Sequence, residues 1–227
     1  MRIEILRRKP GGVPHWEAYD YTPEGPADTV ATALTRFNET LPDPVRWECS
    51  CLQKKCGACA MVVNGRPVLA CDTRLSEQKQ PVRVEPLRKF PVVEDLIVDR
   101  DAMFDALREM KVWLSAGAEP DQAASELGYE ASRCLQCGCC LEVCPNFAPG
   151  DSFAGMAGAV PMARLLAELP PAALDELSGI YRRRVYAGCG KSLACRNVCP
   201  AGIDIEALLV NSNAVAVWKR LLRRKRG

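Results

Sequence analysis

The sequence has little of what an active site or a membrane segment requires. It contains one histidine, His15, in a segment that alternates like a strand, far from every motif, which is weak evidence for acid–base catalysis. No glycine-rich phosphate loop follows a strand, and no run approaches the roughly 18 uncharged apolar residues of a membrane span. The net charge is only +2, so nothing in it indicates nucleic acid as a partner. We expect none of the residues of this chain to be catalytic.

Cysteine, by contrast, is abundant, with 13 residues in 227. A secreted disulfide scaffold is one explanation for such a count. The number is odd, however, and most of the cysteines fall into metal-binding spacings rather than scattered pairs. The amino terminus has glutamate among alternating apolar residues and lacks the apolar stretch of a signal peptide. These features favour metal-bound thiolates in a reducing compartment, the cytosol.

The most informative stretch spans residues 134–145. Its cysteines have the spacing C-x2-C-x2-C-x3-C-P, which is typical of bacterial ferredoxin-type iron–sulfur clusters. In that motif three cysteines bind one cuboidal cluster, and the fourth, here Cys144, serves a second cluster. A partner motif is therefore needed, and the pattern C-x5-C-x3-C-P over residues 189–200 supplies it.

This motif geometry predicts that the two motifs exchange ligands. A [4Fe–4S] cluster is expected on Cys134, Cys137, Cys140 and Cys199. A further cluster is expected on Cys144, Cys189 and Cys195. Cys139 breaks the regular spacing, and we expect that it does not bind iron.

The second motif has Ser192 where a C-x2-C-x2-C frame would place a cysteine. Three thiolates match a [3Fe–4S] cluster, which is the expected occupant. A [4Fe–4S] cluster with serine as its fourth ligand is an alternative that stays open. A structural zinc site is a further interpretation, but zinc ribbons pair two C-x2-C knuckles and lack the x3-C-P ending.

A separate cysteine loop lies in the first half of the chain. The spacing C-x4-C-x2-C followed by a distant fourth cysteine is the plant-type [2Fe–2S] pattern. Its expected ligands are Cys51, Cys56, Cys59 and Cys71. Gly57 and Ala58 leave room for backbone amides to approach the sulfurs. Cys49 lies outside this register and is expected to be a spare thiol.

The pattern around that loop predicts strands and one helix. Residues 2–8 alternate like a strand, with 15–21 as a hairpin partner. Asp28 is the expected N-cap of a helix whose apolar stripe is Val30, Leu34, Phe37 and Leu41. Asn64-Gly65 between apolar runs predicts a second hairpin. Further strands are expected at 81–85 and at 92–98, the latter extending the sheet or leading out of it.

From residue 99 onward the apolar period becomes helical. Helices are expected along the stripe from Met103 to Leu114 and at 161–169, 171–180 and 203–222. We predict an α+β protein with a plant-type [2Fe–2S] ferredoxin domain of β-grasp fold over residues 1–98. A helical, bacterial-ferredoxin-like domain is expected over 99–227. Basic residues crowd Lys219–Arg226, either as a solvated tail or as a contact with an anionic membrane surface.

Together these motifs resemble the iron–sulfur subunit of the succinate dehydrogenase/fumarate reductase family. The resemblance covers nearly the whole chain and includes residues 50–51, 56–61, 64–65, 69–71 and 91–99 with both cysteine motifs and their prolines. It implies a [2Fe–2S], [4Fe–4S], [3Fe–4S] series linking a flavoprotein subunit that carries FAD to a quinone site at a membrane anchor. It also implies a peripheral position on the cytoplasmic side of the inner membrane. Succinate and fumarate are then interconverted on the flavoprotein, and whether the anchor holds haem b is open.

The sequence departs from this family where quinone contacts are expected. Members commonly have tryptophans shortly after the first C-P, whereas residues 146–149 contain Phe147 as their only aromatic residue. Gly190 and Ala201 stand where many members have histidine and lysine. The alternative is an electron-transfer subunit of a different flavin-dependent or thiol-coupled reductase without a quinone-binding anchor.

Overall fold

The computed structural model describes residues 1–114, 117–118 and 120–218. The chain divides into two compact units. Unit 1 contains Met1–Arg100 and Leu135–Glu142, and unit 2 contains Asp101–Cys134 with the chain from Val143 onward. Unit 1 is thus discontinuous in the sequence. The basic segment Lys219–Arg226 lies outside the described residues.

A five-stranded sheet organises unit 1. Its strands are β1 (Arg2–Arg7), β2 (His15–Asp20), β3 (Ala60–Val63), β4 (Arg66–Leu69) and β5 (Val82–Glu85). Their order is β2-β1-β5-β3-β4, with β1 and β5 parallel and every other neighbouring pair antiparallel. Ile3 and Ile5 of β1 are buried and alternate with more exposed neighbours, as the period-2 pattern predicts. The predicted hairpin of the first two strands is confirmed.

Helix α1 (Val30–Thr40) carries its apolar stripe into the core of unit 1. Val30, Leu34 and Phe37 are buried, as predicted, whereas Leu41 is the C-cap of the helix and is half-buried. The predicted N-cap was wrong, because Thr29 caps the helix and forms a reciprocal capping box with Thr32. Asp28 is used elsewhere: its carboxylate accepts hydrogen bonds from the Tyr21 hydroxyl at 2.7 Å and the Glu24 amide at 3.0 Å.

The Asn64-Gly65 turn joins β3 to β4, as predicted. Both residues have positive φ, 47° and 80°, which is the conformation of a type I′ hairpin turn. The segment after β5 leaves the sheet. It forms a separate two-stranded ribbon of β6 (Val92–Glu94) and β7 (Ile97–Val98).

A buried ion pair ties the start of the chain to this ribbon. The Arg7 guanidinium lies 3.0 Å from the Asp95 carboxylate and donates to the Tyr19 hydroxyl at 2.7 Å. Asp95 is fully buried, and its two oxygens also accept the backbone amides of Arg8 at 3.0 Å and Arg46 at 2.9 Å. Each oxygen of the carboxylate thus accepts a backbone amide, and one of them also faces the Arg7 guanidinium.

Asp95→Asn is expected to lower the free energy of unfolding by about 3 kcal/mol, because it leaves the Arg7 charge buried without its inner partner. The new amide group would also face a backbone N–H donor. Asp43→Asn is the matched control, since Asp43 also pairs with Arg7, at 3.2 Å, but is largely exposed. Its cost should stay below about 1 kcal/mol. Equal shifts in the urea midpoint for the two variants would contradict the assignment.

Unit 2 is helical. The remaining helices, in chain order, are α2 (Asp101–Glu109), α3 (Gln122–Ser132), α4 (Cys139–Glu142) of unit 1, α5 (Gly155–Glu168), α6 (Leu174–Tyr181) and α7 (Ile205–Asn213). Helix α6 continues as a π-helical segment, Arg182–Tyr186, and α7 as another, Ala214–Trp218. Across the described part of the chain, no helix is long and apolar enough to cross a membrane.

The predicted helices have different bounds in the structure, most clearly α2 and α5. Helix α2 ends at Glu109, five residues before the predicted end of the stripe at Leu114. Met103 and Met110 are buried, whereas Leu114 is exposed. Helix α5 begins at Gly155, and Pro161 lies inside the helix rather than at its start. The part of α5 before Pro161 packs closely against the residue that follows α2: a Cβ on Gly158 would lie 2.7 Å from the sulfur of Met110. Such a long-range contact is not visible in the local pattern.

Candidate iron–sulfur cluster sites

The first cysteine loop lies between α1 and β3 in unit 1, and Cys71 follows β4 in a short 3-10 turn. The structure brings its four predicted ligands together. The Cys56 thiol hydrogen-bonds to Cys51, and Cys59 and Cys71 are similarly paired, with Cys56 within electrostatic range of Cys59. The Ala70 amide donates to the Cys59 carbonyl at 3.0 Å, which holds the Cys71 turn beside the loop.

Backbone amides surround the sulfurs of this loop. The amides of Gln53 and Lys55 donate to the Cys51 sulfur at 3.3 and 3.4 Å, and the Lys54 amide donates to the Cys71 sulfur at 3.4 Å. The Gln53 amide, followed by that of Lys55, lowers the pKa of Cys51 to about 7. These donors therefore favour the thiolate, which is the form that binds iron.

Burial has the opposite effect on Cys59, whose pKa it raises to about 12. A buried thiol keeps its proton until a positive charge takes the place of that proton. Iron binding supplies such a charge, so loading a cluster here releases protons.

Left-handed backbone turns the amides toward the sulfurs. Leu52 and Lys54 have φ of 52° and 59°, and Gly57 has φ of 75°. Alternating right- and left-handed residues direct successive N–H groups into one concavity, which is a general way to bind negative charge. Apart from Gly57, these positions could not be predicted from the sequence, because leucine and lysine do not mark a positive φ.

Gly57 also packs this loop onto the first C-x2-C-x2-C motif. A Cβ at Gly57 would lie 2.7 Å from the Leu135 carbonyl oxygen and 2.9 Å from the Cβ of Cys137. Both neighbours belong to segment 135–142 of unit 1. The predicted ligand Cys137 therefore lies directly against the backbone between two predicted [2Fe–2S] ligands.

Segment 135–142 has the same backbone character. Gln136 and Gly138 have positive φ, and a Cβ at Gly138 would lie 3.3 Å from the Phe90 ring. Glu142 accepts the Lys89 amide at 3.1 Å. Cys139, which we expect not to bind iron, is fully buried at the start of α4. Its thiol is the main cause that lowers the pKa of Cys137 to about 7.

Contacts within unit 2 bring Cys134 toward Cys199. Arg133 donates to the Ala201 carbonyl, and its guanidinium is within electrostatic range of Cys199. Glu130 accepts both Arg133, at 2.8 Å, and the backbone amide of Asp204, at 2.8 Å. The end of α3 and the turn after the second C-P are therefore held together.

The three cysteines predicted for the last cluster also meet in unit 2. Cys144 and Cys189 both lie within electrostatic range of Cys195, whose pKa is raised chiefly by burial. Lys191 and Leu193, on either side of Ser192, have φ of 56° and 54°. Ser192 itself is exposed.

The residues fit iron–sulfur clusters in their chemistry. None of the 13 cysteines forms a disulfide, and the amides at Cys51 and Cys71 are placed to stabilise thiolates. Within residues 1–114, 117–118 and 120–218, no group of three or more His, Cys, Asp or Glu side chains is arranged to hold a single metal ion. Fold and cysteine loops define the class of protein: a [2Fe–2S] ferredoxin domain with a sheet, joined to a helical domain with two cluster motifs.

Comparison with known proteins identifies the family. Family models for a 2Fe-2S iron-sulfur cluster binding domain and a 4Fe-4S dicluster domain match residues 2–105 and 130–203. The chain is 37% identical over 183 residues to the succinate dehydrogenase iron-sulfur subunit of Bacillus subtilis, covering 75% of this chain and 71% of that one. It is 32% identical over 220 residues to the fumarate reductase iron-sulfur subunit of Mycobacterium tuberculosis, covering 89% and 87%. The chain belongs to the family of succinate dehydrogenase and fumarate reductase iron–sulfur subunits.

A solved structure has the same fold. A chain of the Mycobacterium smegmatis Sdh1 complex in the apo form superposes with a TM-score of 0.77 at 24% identity, covering 95% of each chain. The predicted α+β fold class and the family resemblance are confirmed. The assignment of individual cysteines to clusters stays a prediction.

Proposed function

We propose that this chain relays electrons between a flavoprotein subunit carrying FAD and a quinone at a membrane anchor, within a complex that interconverts succinate and fumarate. The relay uses a [2Fe–2S] cluster, a [4Fe–4S] cluster and a [3Fe–4S] cluster in that order. When bound, these clusters supply one-electron redox chemistry, and the chain supplies their ligands and spacing. Partner subunits hold the chain peripherally on the cytoplasmic side of the inner membrane.

The contact at Gly57 carries this proposal. It leaves only backbone between the [2Fe–2S] loop and Cys137, with no side chain to separate them. A loop with a bulkier residue would push the two motifs apart. Gly57, which has a positive φ, thus allows successive cysteine motifs to lie in contact.

A cavity beside Cys189 supports the quinone part of the proposal. It has a volume of about 240 Å³, and its lining includes Tyr181, Tyr186, Lys191 and Trp218. The lining is mainly apolar, and the Lys191 ammonium lies 5.0 Å from the centre of the Tyr186 ring. A flat conjugated ring such as that of a quinone suits such a cavity. Three aromatic residues of other segments thus line this cavity. The segment 146–149 has Phe147 as its only aromatic residue.

The test is to purify the chain with its partner subunits and to measure succinate oxidation with quinone and fumarate reduction with quinol. We expect both reactions to depend on this chain and on a membrane subunit. A complex that lacks a membrane subunit and passes electrons to or from thiols instead would overturn the proposal in favour of a thiol-coupled reductase.

Ser192→Cys is expected to convert the last cluster from [3Fe–4S] to [4Fe–4S], because it restores the fourth thiolate of the motif. Total iron should rise from about nine to about ten atoms per chain. The EPR signal of the oxidised three-iron cluster should disappear. Because Ser192 is exposed, we expect the replacement to disturb few packing contacts.

Ser192→Ala is the control for the alternative in which serine is already a ligand. We expect its three-iron signal to match that of the unaltered protein. A four-iron signature in the unaltered protein that is lost in Ser192→Ala would establish serine ligation instead. A three-iron signal that persists in fully loaded Ser192→Cys would show that residue 192 does not face the cluster.

A further inference from the structure

The Arg100 guanidinium of unit 1 forms an ion pair with one carboxylate and lies near two cysteine motifs. Its Nη2 donates to the carbonyl of Ala58, at 3.3 Å, and its Nη1 lies 2.5 Å from the Glu48 carboxylate. Ala58 lies between the [2Fe–2S] ligands Cys56 and Cys59. The Arg100 side chain is only 12% exposed, whereas Glu48 is 40% exposed.

The same guanidinium reaches the next motif. It contacts the carbonyl of Ala58, and Ala58 adjoins Gly57. A Cβ at Gly57 would lie 2.9 Å from the Cβ of Cys137. Arg100 therefore lies near predicted ligand residues of both motifs rather than of one.

One N–H donor of the Arg100 guanidinium is unsatisfied within the described part of the chain. The Nε of Arg100 is buried and has no hydrogen-bond partner among the residues that the structure describes. A buried donor on a charged group normally has a partner. Thiolate and inorganic sulfur of a cluster are acceptors that the neighbouring loops would supply.

We propose that Arg100 is a charge-tuning residue that raises the midpoint potentials of both the [2Fe–2S] and the [4Fe–4S] cluster, with Glu48 opposing it. Reduction adds one electron, and hence one negative charge, to a cluster and its thiolates, with no bond broken and no proton required. A fixed positive charge close by stabilises that reduced state. Arginine keeps its charge at every relevant pH, so this contribution does not depend on protonation.

This inference rests on the proposed relay, but its test does not require succinate, quinone or partner activity. Midpoint potentials are measured by EPR-monitored redox titration of the assembled complex, with spin quantitation to report cluster occupancy separately. Arg100→Gln should lower both potentials. We expect about a tenfold change in the ratio of reduced to oxidised cluster at fixed potential, which is about 59 mV for a one-electron couple.

Glu48→Gln should act in the opposite direction, because it removes the carboxylate that partly neutralises Arg100. Its upward shift should be smaller, since Glu48 is more exposed than Arg100. Arg83→Gln is the matched control, an arginine of β5 that is 59% exposed and pairs with Glu4 at 3.0 Å. We expect that variant to leave both potentials unchanged.

Each outcome decides the proposal. Unchanged potentials in fully loaded Arg100→Gln would overturn it and leave Arg100 as a structural cross-link. A shift confined to the [2Fe–2S] cluster would overturn the shared role. If Arg100→Gln fails to retain its clusters, Glu48→Gln decides alone: raised potentials support the proposal, and unchanged or lowered potentials refute it.

Discussion

Cys199→Ala is expected to remove the [4Fe–4S] cluster of the motif over residues 134–140 while the [2Fe–2S] cluster remains. The motif geometry gives each C-P cysteine to the cluster of the other motif. Contacts in unit 2 support this exchange, because Arg133, next to Cys134, binds the Ala201 carbonyl and lies close to Cys199. Iron content should fall from about nine to about five atoms per chain, since four belong to that cluster.

The measurement is iron analysis together with EPR of the reduced and oxidised protein. Cys49→Ser is the control, because Cys49 is exposed and lies outside the ligand register. That variant should keep every cluster. Cys144→Ala is the reciprocal variant and should lose the three-iron signal instead. If Cys199→Ala loses the three-iron signal and retains the [4Fe–4S] signal, the exchange of ligands between the motifs is wrong.

Gly57→Ala is expected to lower the free energy of unfolding of unit 1 by about 3–4 kcal/mol and to deplete the [2Fe–2S] cluster. A non-glycine residue at a φ of 75° costs about 1–2 kcal/mol. Overpacking adds about 2 kcal/mol. The new methyl group would press on the Leu135 carbonyl and on Cys137, which are backbone and ligand rather than a flexible side-chain end.

Gly65→Ala separates these two contributions. Gly65 has nearly the same φ, 80°, but a Cβ there meets nothing within 4 Å. It should therefore cost only the conformational part, about 1–2 kcal/mol, and leave the cluster in place. The measurement compares urea midpoints and visible absorbance of the two variants. Equal losses would mean that the contact of Gly57 with segment 135–142 contributes nothing.

Features of the chain that depend on short spacings could be predicted from the sequence. Cysteine spacing predicted the ligand loops, strand alternation predicted β1 and β2, and the Asn64-Gly65 pair predicted the second hairpin. Each of these patterns is complete within a few residues. The family resemblance followed from their order along the chain.

What the sequence could not give depends on contacts between distant residues. Asp28 and Thr29 are both good capping residues, and the choice of Thr29 is settled because the Tyr21 hydroxyl already occupies Asp28. Arg100 is an ordinary charged residue after a strand until the fold places it on Glu48 and Ala58, 52 and 42 positions away. Left-handed Leu52 and Lys54 have side chains that give no sign of their backbone.

The discontinuity of unit 1 sets an order for its maturation during translation. A ribosome that has synthesised the first 100 residues has made the sheet and the whole [2Fe–2S] loop, but not segment 135–142. On such a nascent chain the backbone at Gly57 is uncovered, because Leu135 and Cys137 have yet to emerge. Once residue 142 has left the exit tunnel, segment 135–142 can pack onto that loop, so the order of the segments in the chain leaves the first cysteine loop accessible before the second motif covers it.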